Sequence, residues 1–400
     1  MLNRRVIAAG LIITQLALSC SSNDRAASPP STVANADVIE PVLNPDLRIG
    51  MVLNIAAPTA ERDQQVSNVL MSAIRTNSAA GLAQLETIQI DEPDDVASAV
   101  EALRGLGVTI IVTTCDDGTV PDVISSGLAN DMLVLTGCTT LPRPIIESTS
   151  DLVIDVASLA TSSDAIALAL DELLDDLPEE EGLEEEALED EAVEAGPRVA
   201  TLASDLIPDV AGECTNVEAA ASSEVVVSER FTGLVDDPEV VVADLSEQLQ
   251  EVDAIVLCAL APTVGEVVSA LRANELGQPI VVPWFADDQT WSDDIDDVWI
   301  VAPSSRYGDD PIEEINSLYA LLDDPVATDV ITADTLTSLV DAVQRAGSVR
   351  PAQMAEVLRA EPFAALSGEL TLNRLGNVER TYRLLEVVDG EARFSTTLEP

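Results

Sequence analysis

Short apolar runs and amphipathic stretches alternate along residues 48–156. The apolar runs lack the polar alternation of a half-exposed sheet, so they predict strands that are buried on both faces of a parallel sheet. The predicted strands cover residues 49–55, 85–90, 108–113, 132–136 and 152–156, and the predicted helices cover residues 61–74, 94–106 and 120–129. Strands joined by helices in this way are typical of an α/β fold.

A second series of the same kind begins near residue 163. Its predicted helices cover residues 163–174, 209–221, 240–249 and 264–273, and its predicted strands cover residues 199–203, 225–227, 254–257 and 280–283. Three helices (311–322, 332–346 and 351–360) and two strands (368–372 and 383–388) follow. Two such series predict two similar lobes. Because ligands bind beyond the carboxyl ends of parallel strands, we expect a binding cleft between them.

Residues 1–19 have the pattern of a secretory signal peptide. Arg4 and Arg5 form a short basic segment, and an apolar run of 13 residues follows over residues 6–18. A membrane-spanning helix needs about 20 apolar residues, so a cleaved signal is favoured over a retained transmembrane segment. The residues directly before Cys20 resemble the lipobox of bacterial lipoproteins, in which this cysteine carries the lipid.

We therefore expect a lipid on Cys20 to anchor the protein on the extracytoplasmic side of the cell membrane. Residues 20–46 are rich in Ser, Ala, Asn and Pro, and they predict a flexible tether. The alternative is a plain secreted protein with an incidental Cys20. A lone exposed thiol in an oxidising compartment argues against that alternative.

The charge of the chain limits its chemistry. It has 72 Asp and Glu residues against 19 Arg, with neither Lys nor His, and its formal net charge is −53. The lack of Lys and His excludes Schiff-base chemistry and imidazole general bases or metal ligands. An anionic surface with 2% aromatic residues argues against a nucleic-acid partner. We expect neither an enzyme nor a bound cofactor or metal ion.

Acidic residues are concentrated in residues 171–194, where 14 of 24 positions are Asp or Glu. This run lacks the Asp-x-Asp-x-Asp-Gly pattern of a calcium-binding loop, so a solvated acidic segment is favoured over a calcium site. We interpret residues from about 175 to 196 as an insertion between elements of the second lobe.

Four cysteines remain besides the one at the predicted cleavage site: Cys115, Cys138, Cys214 and Cys258. An even number in an exported chain predicts two disulfides, for which three pairings are possible. A zinc site is the competing interpretation. The separations of 23, 76 and 44 residues contain no C-x₂-C pair, which disfavours zinc.

Several segments resemble a known family when they are taken in order. Residues 110–119 look like its loop between a strand and a helix, and residues 135–140 look like its next loop. Residues 346–348 and 368–377 look like its Ala-Gly-Ser helix end and its closing strand pair. The chain is thereby similar to the type I periplasmic solute-binding proteins of ABC transporters, in the branched-chain amino acid binding branch.

The resemblance implies two Rossmann-like lobes that are joined by a three-strand hinge and close on a small molecule. Lobe 1 would comprise residues 47–156 and 302–362, and lobe 2 residues 157–301 and 363–397. The implied function is capture of an amino acid or a similar small polar solute for an ABC transporter permease, by a monomer. The alternative is a ligand-sensing or regulatory envelope lipoprotein of the same fold.

The resemblance also places recognition of a ligand carboxylate at Asp116 and Asp117, where the family carries paired serines. An Asp there would repel a carboxylate by about 4 kcal/mol at about 4 Å in an effective dielectric near 20. One interpretation is that these residues cap the helix around Pro121. The other is a ligand with a cationic head, such as a polyamine, a betaine-like compound or a basic amino acid.

Further candidate ligand contacts follow other strands. The resemblance assigns Thr139 to the ligand ammonium, with Thr140 beside it, although a capping role is the alternative. In the second lobe the candidates are Ser204, Asp205, Trp284 and Asp287. Trp284 could form an apolar wall or a cation–π face, or simply pack within its lobe. Asp287 could neutralise an ammonium, or be one more solvated acid.

The cysteines fit the same two-lobe arrangement. Cys115 and Cys138 end neighbouring strands of lobe 1, whereas Cys214 and Cys258 belong to lobe 2. A bridge between the lobes would oppose hinge closure. We therefore predict one disulfide within each lobe.

Overall fold

The first βα series forms a parallel sheet in the computed structural model of the protein. The structure describes residues 47–76, 83–116, 118–138, 151–158, 161–175, 196–205, 208–232, 237–287, 291, 295–373 and 378–400. The strands of this sheet are β1 (Arg48–Asn54), β2 (Gln84–Ile90), β3 (Ile110–Val112), β4 (Leu133–Leu135) and β5 (Val153–Ile154). Its helices are α1 (Ala60–Thr76), α2 (Val96–Gly105) and α3 (Val120–Ala129). The strand order is β2-β1-β3-β4-β5, and every pair is parallel, as the apolar runs predict.

The second series forms a larger sheet. Its strands are β6 (Arg198–Ser204), β7 (Glu224–Phe231), β8 (Ala254–Cys258), β9 (Ile280–Pro283), β10 (Val298–Ala302), β14 (Tyr382–Val388) and β15 (Glu391–Leu398). Its helices are α4 (Ser162–Asp175), α5 (Pro208–Ala220), α6 (Pro238–Leu249) and α7 (Ala261–Ala273). The order is β15-β14-β10-β9-β8-β6-β7, in which β14 and β15 run antiparallel to their neighbours and the remaining pairs are parallel.

The remaining elements come between β10 and β14 in the chain. They are the helices α8 (Glu313–Tyr319), α9 (Asp329–Ala346) and α10 (Pro351–Ala360), and the strands β11 (Phe363–Ala365), β12 (Gly368–Leu372) and β13 (Val378–Glu379). The three strands form a small antiparallel sheet. Helix α9 ends at Gly347, whose positive φ of 59° suits a residue without a side chain. This end lies within the segment that resembles the Ala-Gly-Ser helix end.

Each large sheet has its own apolar core. Val66, Leu133 and Leu339 lie in the core of the five-stranded sheet. Leu257 and Leu385 lie in a core on the seven-stranded sheet. A further core on that sheet contains residues of α4, β6 and α8. We call the part built on the five-stranded sheet the first lobe and the part built on the seven-stranded sheet the second lobe.

The segment 363–397, which the family resemblance assigns to lobe 2, is divided in the structure. Phe363, Leu370 and Val378 of the small sheet are buried in the core of the first lobe. Only β14 and β15 extend the seven-stranded sheet. The packing follows from chain order, because only two residues separate β11 from α10 and β11 packs against α9 in the first lobe.

The predicted strands and helices of the two βα series lie close to observed ones, but β10, β11, β13 and β15 are not among the predicted strands. Strand β10 has the apolar run Val298–Ala302, so its signal is present in the sequence. Strand β15 alternates buried and exposed positions and is largely polar. Strand β7 is longer than the predicted 225–227. The apolar run ends at residue 227, whereas the strand continues through residues 228–230, which are exposed polar residues at the edge of the sheet.

Candidate functional site

Polar side chains meet where strands β1 and β3 of the first lobe end. Asp116 follows β3 and is 7% exposed. Its Oδ2 accepts a hydrogen bond of 3.0 Å from Nδ2 of Asn54, the last residue of β1. Its Oδ1 accepts one of 3.1 Å from the N–H of Gly118. The carboxylate therefore shapes the turn that leads into α3. It does not cap this helix, as one interpretation expects, because Thr119 is the N-cap residue and its side chain makes no capping hydrogen bond.

Asp63 in the first turn of α1 contacts the same loop. It is 1% exposed, and its Oδ1 accepts a hydrogen bond of 2.9 Å from the N–H of Cys115. The Thr59 hydroxyl lies 3.4 Å from Oδ2. Burial, and to a smaller degree the charge of Asp116, raises the pKa of Asp63 to about 6. This edge of the first lobe therefore has two largely buried carboxyl groups whose hydrogen-bond donors are neutral.

A disulfide ties this loop to the next one. Cys115 and Cys138 are bonded with their Cα atoms 5.0 Å apart, which confirms the pairing predicted for lobe 1. Beside it, Gly137 is tightly enclosed, since an added Cβ would lie 2.6 Å from Cγ1 of Val112 and 2.7 Å from the carbonyl oxygen of Thr113. The loops after β3 and β4 are thus fixed to each other both by a covalent bond and by close packing.

Several candidates lie outside the described residues. They are Asp117, Thr139, Thr140 and the predicted lipidation site Cys20. The acidic insertion from about 175 to 196 lies outside them for most of its length. Their predicted roles stay predictions.

Ser204 and Asp205 lie at the carboxyl end of β6 in the second lobe. Ser204 is 2% exposed and faces Phe231 in the register with β7. The carboxylate of Asp205 lies 3.6 Å from Nη1 of Arg230, and both side chains are almost half exposed. Screening by solvent makes such an exposed pair weak, so Asp205 stays accessible to a ligand at this edge.

Trp284 and Asp287 follow β9. Trp284 is half-buried and contacts the Phe285 ring edge-on at 5.4 Å between ring centres. Asp287 is fully buried, and its carboxylate forms an ion pair of 3.0 Å with Nε of Arg306. The guanidinium also lies over the ring of Tyr307. A ligand ammonium at Asp287 would therefore compete with an arginine that already neutralises the acid.

The second disulfide lies within the second lobe. Cys214 of α5 and Cys258 at the end of β8 are bonded, and their Cα atoms are 5.8 Å apart. Both predicted pairings are therefore confirmed. This bridge fixes α5 against the sheet next to the β6 end that carries Ser204 and Asp205.

A groove of about 580 Å³ lies between β7 and α6 at the edge of the second lobe. Its lining combines the apolar side chains Phe231, Val241 and Leu245 with acids such as Asp244. Trp284 and Asp287 do not line it.

Asn54, Asp63 and Arg306 belong to these polar clusters but are not among the candidates predicted from the sequence. Asp63 reads as an ordinary acid in the first turn of a helix. However, it precedes Val66 by three residues and Leu70 by seven, which places it on the buried face of α1. That position was an available signal. Among the described residues, no group of three or more Cys, Asp or Glu side chains could hold a metal ion.

Within the described ranges, every helix is either too short or too polar to cross a bilayer.

Comparison with known proteins identifies the fold. The chain is similar to the branched-chain amino acid transporter substrate binding protein LivJ of Streptococcus pneumoniae in complex with isoleucine, with 14% identity, 88% of this chain and 99% of that chain covered, and a TM-score of 0.63. It is also similar to an ABC-type branched-chain amino acid transporter protein of Rhodopseudomonas palustris, with 15% identity, 88% and 97% coverage, and a TM-score of 0.69.

A solute binding protein of an R. palustris ABC transporter, solved with benzoate, is similar over 88% of this chain and 96% of its own length, at 12% identity and a TM-score of 0.60. No protein-family model matches the sequence, and no curated protein sequence does so. At such low identity the similarity shows the fold and leaves the ligand open.

Proposed function

We propose that this chain, which has the type I periplasmic solute-binding protein fold, captures a small polar solute between its lobes for an ABC transporter. The observation that carries this proposal is the near-complete coverage of solute-binding proteins from both lobes, at 96% to 99% of their length. A chain that matched only part of these proteins could correspond to a single lobe, and a single lobe has no cleft between lobes. In open α/β sheets the solute site lies beyond the carboxyl ends of the strands, where Asp116, Asp205 and Trp284 lie.

The charge of the first lobe favours a solute with a cationic head. Two of the similar proteins were solved with isoleucine and with benzoate, both of which bear a carboxylate. Here the buried carboxyl groups of Asp63 and Asp116 lie near the carboxyl ends of β1 and β3, and their hydrogen-bond donors are backbone N–H groups, a hydroxyl and an amide. A carboxylate placed about 4 Å from an ionised Asp116 would be repelled by about 4 kcal/mol. A cation there would be attracted.

The sequence supports an extracytoplasmic, lipid-anchored location for this activity. A basic segment and an apolar run precede Cys20 at a site of the lipobox type, and two disulfides fit an oxidising compartment. Metabolic labelling with a radioactive fatty acid tests the anchor. Label should enter the wild-type protein and be absent from Cys20→Ser; label in both would contradict it.

Thermal-shift screening tests the binding function. The panel should include spermidine, glycine betaine, arginine, leucine, isoleucine and benzoate. A solute at 100 times its dissociation constant adds about 2.7 kcal/mol to the free energy of unfolding, which gives a clear rise in Tm. We expect at least one cationic solute to stabilise the protein. Stabilisation by leucine or benzoate alone would support solute capture but contradict a solute with a cationic head. If no solute of the panel raises the Tm, both proposals are contradicted.

A further inference from the structure

Three chain segments connect the lobes: β5 leads to α4, β10 leads towards α9, and β13 leads to β14. The third connection is the shortest, since only Arg380 and Thr381 separate β13 from β14. Val378 before it is buried in the core of the first lobe, and Tyr382 after it is buried in the core of the second lobe. The change from one lobe to the other therefore takes place over the five residues from Val378 to Tyr382.

Arg380 is attached to the first lobe. Its Nη1 forms an ion pair of 3.0 Å with Oδ2 of Asp334 on α9, and the two side chains are 1% and 0% exposed. The Asp334 carboxylate also accepts hydrogen bonds from the N–H and hydroxyl of Ser367, next to the small sheet. Nη2 of Arg380 donates to the carbonyl oxygen of Val156 in the first connection. One guanidinium thus joins two connections and α9.

Arg383 is attached to the second lobe. It lies on β14, and its Nε forms an ion pair of 3.3 Å with Oδ2 of Asp310, with the side chains 2% and 0% exposed. Asp310 also accepts hydrogen bonds from the N–H groups of Ser305 and Ile312 in the second connection. Nη1 of Arg383 donates to the Thr381 hydroxyl at 3.2 Å. This guanidinium therefore joins the second and third connections on the side of the second lobe.

We propose that Arg380 and Arg383 are positioning residues for lobe closure, each fixing one end of the third connection to a different lobe. Removing one partner from a buried ion pair is strongly unfavourable because it leaves an uncompensated charge. Within the third connection, a rotation of one lobe against the other that keeps both ion pairs intact is therefore confined to the backbone around Thr381. This inference rests on the proposed function in one respect: the two anchors would let the lobes close on a solute as rigid bodies.

Scattering and hydrogen exchange on the solute-free full chain test this proposal. Asp334→Asn and Asp310→Asn each remove one anchor, and Asp341→Asn is the matched control. Asp341 lies on α9 like Asp334 but forms a more exposed pair with Arg345. We expect both anchor variants to keep their secondary structure, to broaden the distance distribution in small-angle scattering, and to exchange amides of residues 378–383 about tenfold faster or more. The control should match the wild type.

A conservative variant keeps the test decisive if an anchor variant fails to fold. Arg380→Lys keeps a positive charge for Asp334 and gives up the guanidinium contact with Val156, so exchange around both residues should still accelerate. Folded variants with wild-type scattering and exchange would overturn the proposal. Because no solute is needed, this result is separate from the outcome of the solute panel.

Discussion

The backbone N–H of Cys115 donates a hydrogen bond of 2.9 Å to the carboxyl group of Asp63, 52 residues earlier in the chain. The bond attaches the loop after β3 to the first turn of α1. The same cysteine is covalently bonded to Cys138 in the loop after β4. Two neighbouring loops at the carboxyl edge of the first lobe are therefore held through one buried acid and one disulfide.

Protonation of Asp63 should make the stability of the protein depend on pH. Its pKa is about 6 in the folded protein against 3.8 for the free side chain, so the folded state binds more protons between these values. The contribution of Asp63 to stability is thus complete below about pH 4 and is lost as the pH rises through about 6. Asp63→Asn removes this loss and should gain up to about 3 kcal/mol relative to wild type between pH 4 and pH 7.

Urea unfolding of both proteins at pH 4 and pH 7 measures this difference. Glu61→Gln is the control, because Glu61 is an exposed acid in the same turn of α1. Its difference from wild type should change little with pH. An Asp63→Asn variant whose difference from wild type is equal at the two pH values would contradict the role of this carboxyl group.

Gly137→Ala should disturb the candidate site. The new methyl group would meet a side-chain carbon at 2.6 Å and the Thr113 carbonyl oxygen at 2.7 Å, and a backbone oxygen cannot rotate away. We expect a loss of about 1–3 kcal/mol in the free energy of unfolding, as is typical of overpacking. Any solute found in the panel should also bind more weakly, because the loop after β4 must move.

Gly212→Ala is the matched substitution for Gly137→Ala. Gly212 lies inside α5, and an added Cβ there meets nothing within 4 Å. It should stabilise the protein by about 0.5–1 kcal/mol, because alanine has the higher helix propensity. Denaturant unfolding measures both variants. Equal losses in the free energy of unfolding at the two positions would argue against the close packing of Gly137.

Each disulfide should contribute several kcal/mol to stability. The bonds close loops of 23 and 44 residues, for which chain entropy gives about 3 and about 4 kcal/mol. Paired serine substitutions should lower the free energy of unfolding by these amounts, in chemical unfolding without reductant. If the serine variants unfold at the same denaturant concentration as the wild type, the bridges do not constrain the unfolded chain.

Salt should stabilise the folded protein. With a net charge of −53, the compact state experiences strong self-repulsion, and added ions screen it. The Tm should therefore rise steadily between low and molar NaCl concentration. A Tm that is constant or falls over this range would show that repulsion between surface acids does not limit stability.

The strands and the disulfides could be predicted from the sequence because their signals are local. Val134 lies in an apolar run, and runs of this kind mark buried parallel strands wherever turns separate them. Once the strands are placed, Cys115 and Cys138 fall at the ends of neighbouring strands. The two-lobe arrangement that the family resemblance implies then favours one disulfide within each lobe. Strand β15 could not be predicted in this way, because its polar residues alternate with few apolar ones at the edge of a sheet.

The buried ion pairs could not be predicted because they join distant residues. Arg380 and Asp334 are 46 positions apart, and Arg383 and Asp310 are 73 apart. With 72 acids in the chain, the sequence gives no reason to prefer one partner for a given arginine. Asp287 illustrates the consequence: it is a candidate for an ammonium from its position after β9, but its carboxylate is paired with Arg306.

Isothermal titration calorimetry with the cationic solutes of the panel measures directly whether the protein captures a solute. We predict saturable binding of one solute per chain. Binding should be about tenfold weaker or more in Asp116→Asn, since that substitution removes one unit of negative charge at the loop edge. If the folded protein gives no heat of binding with any solute at several temperatures, this result would contradict the capture of a small polar solute.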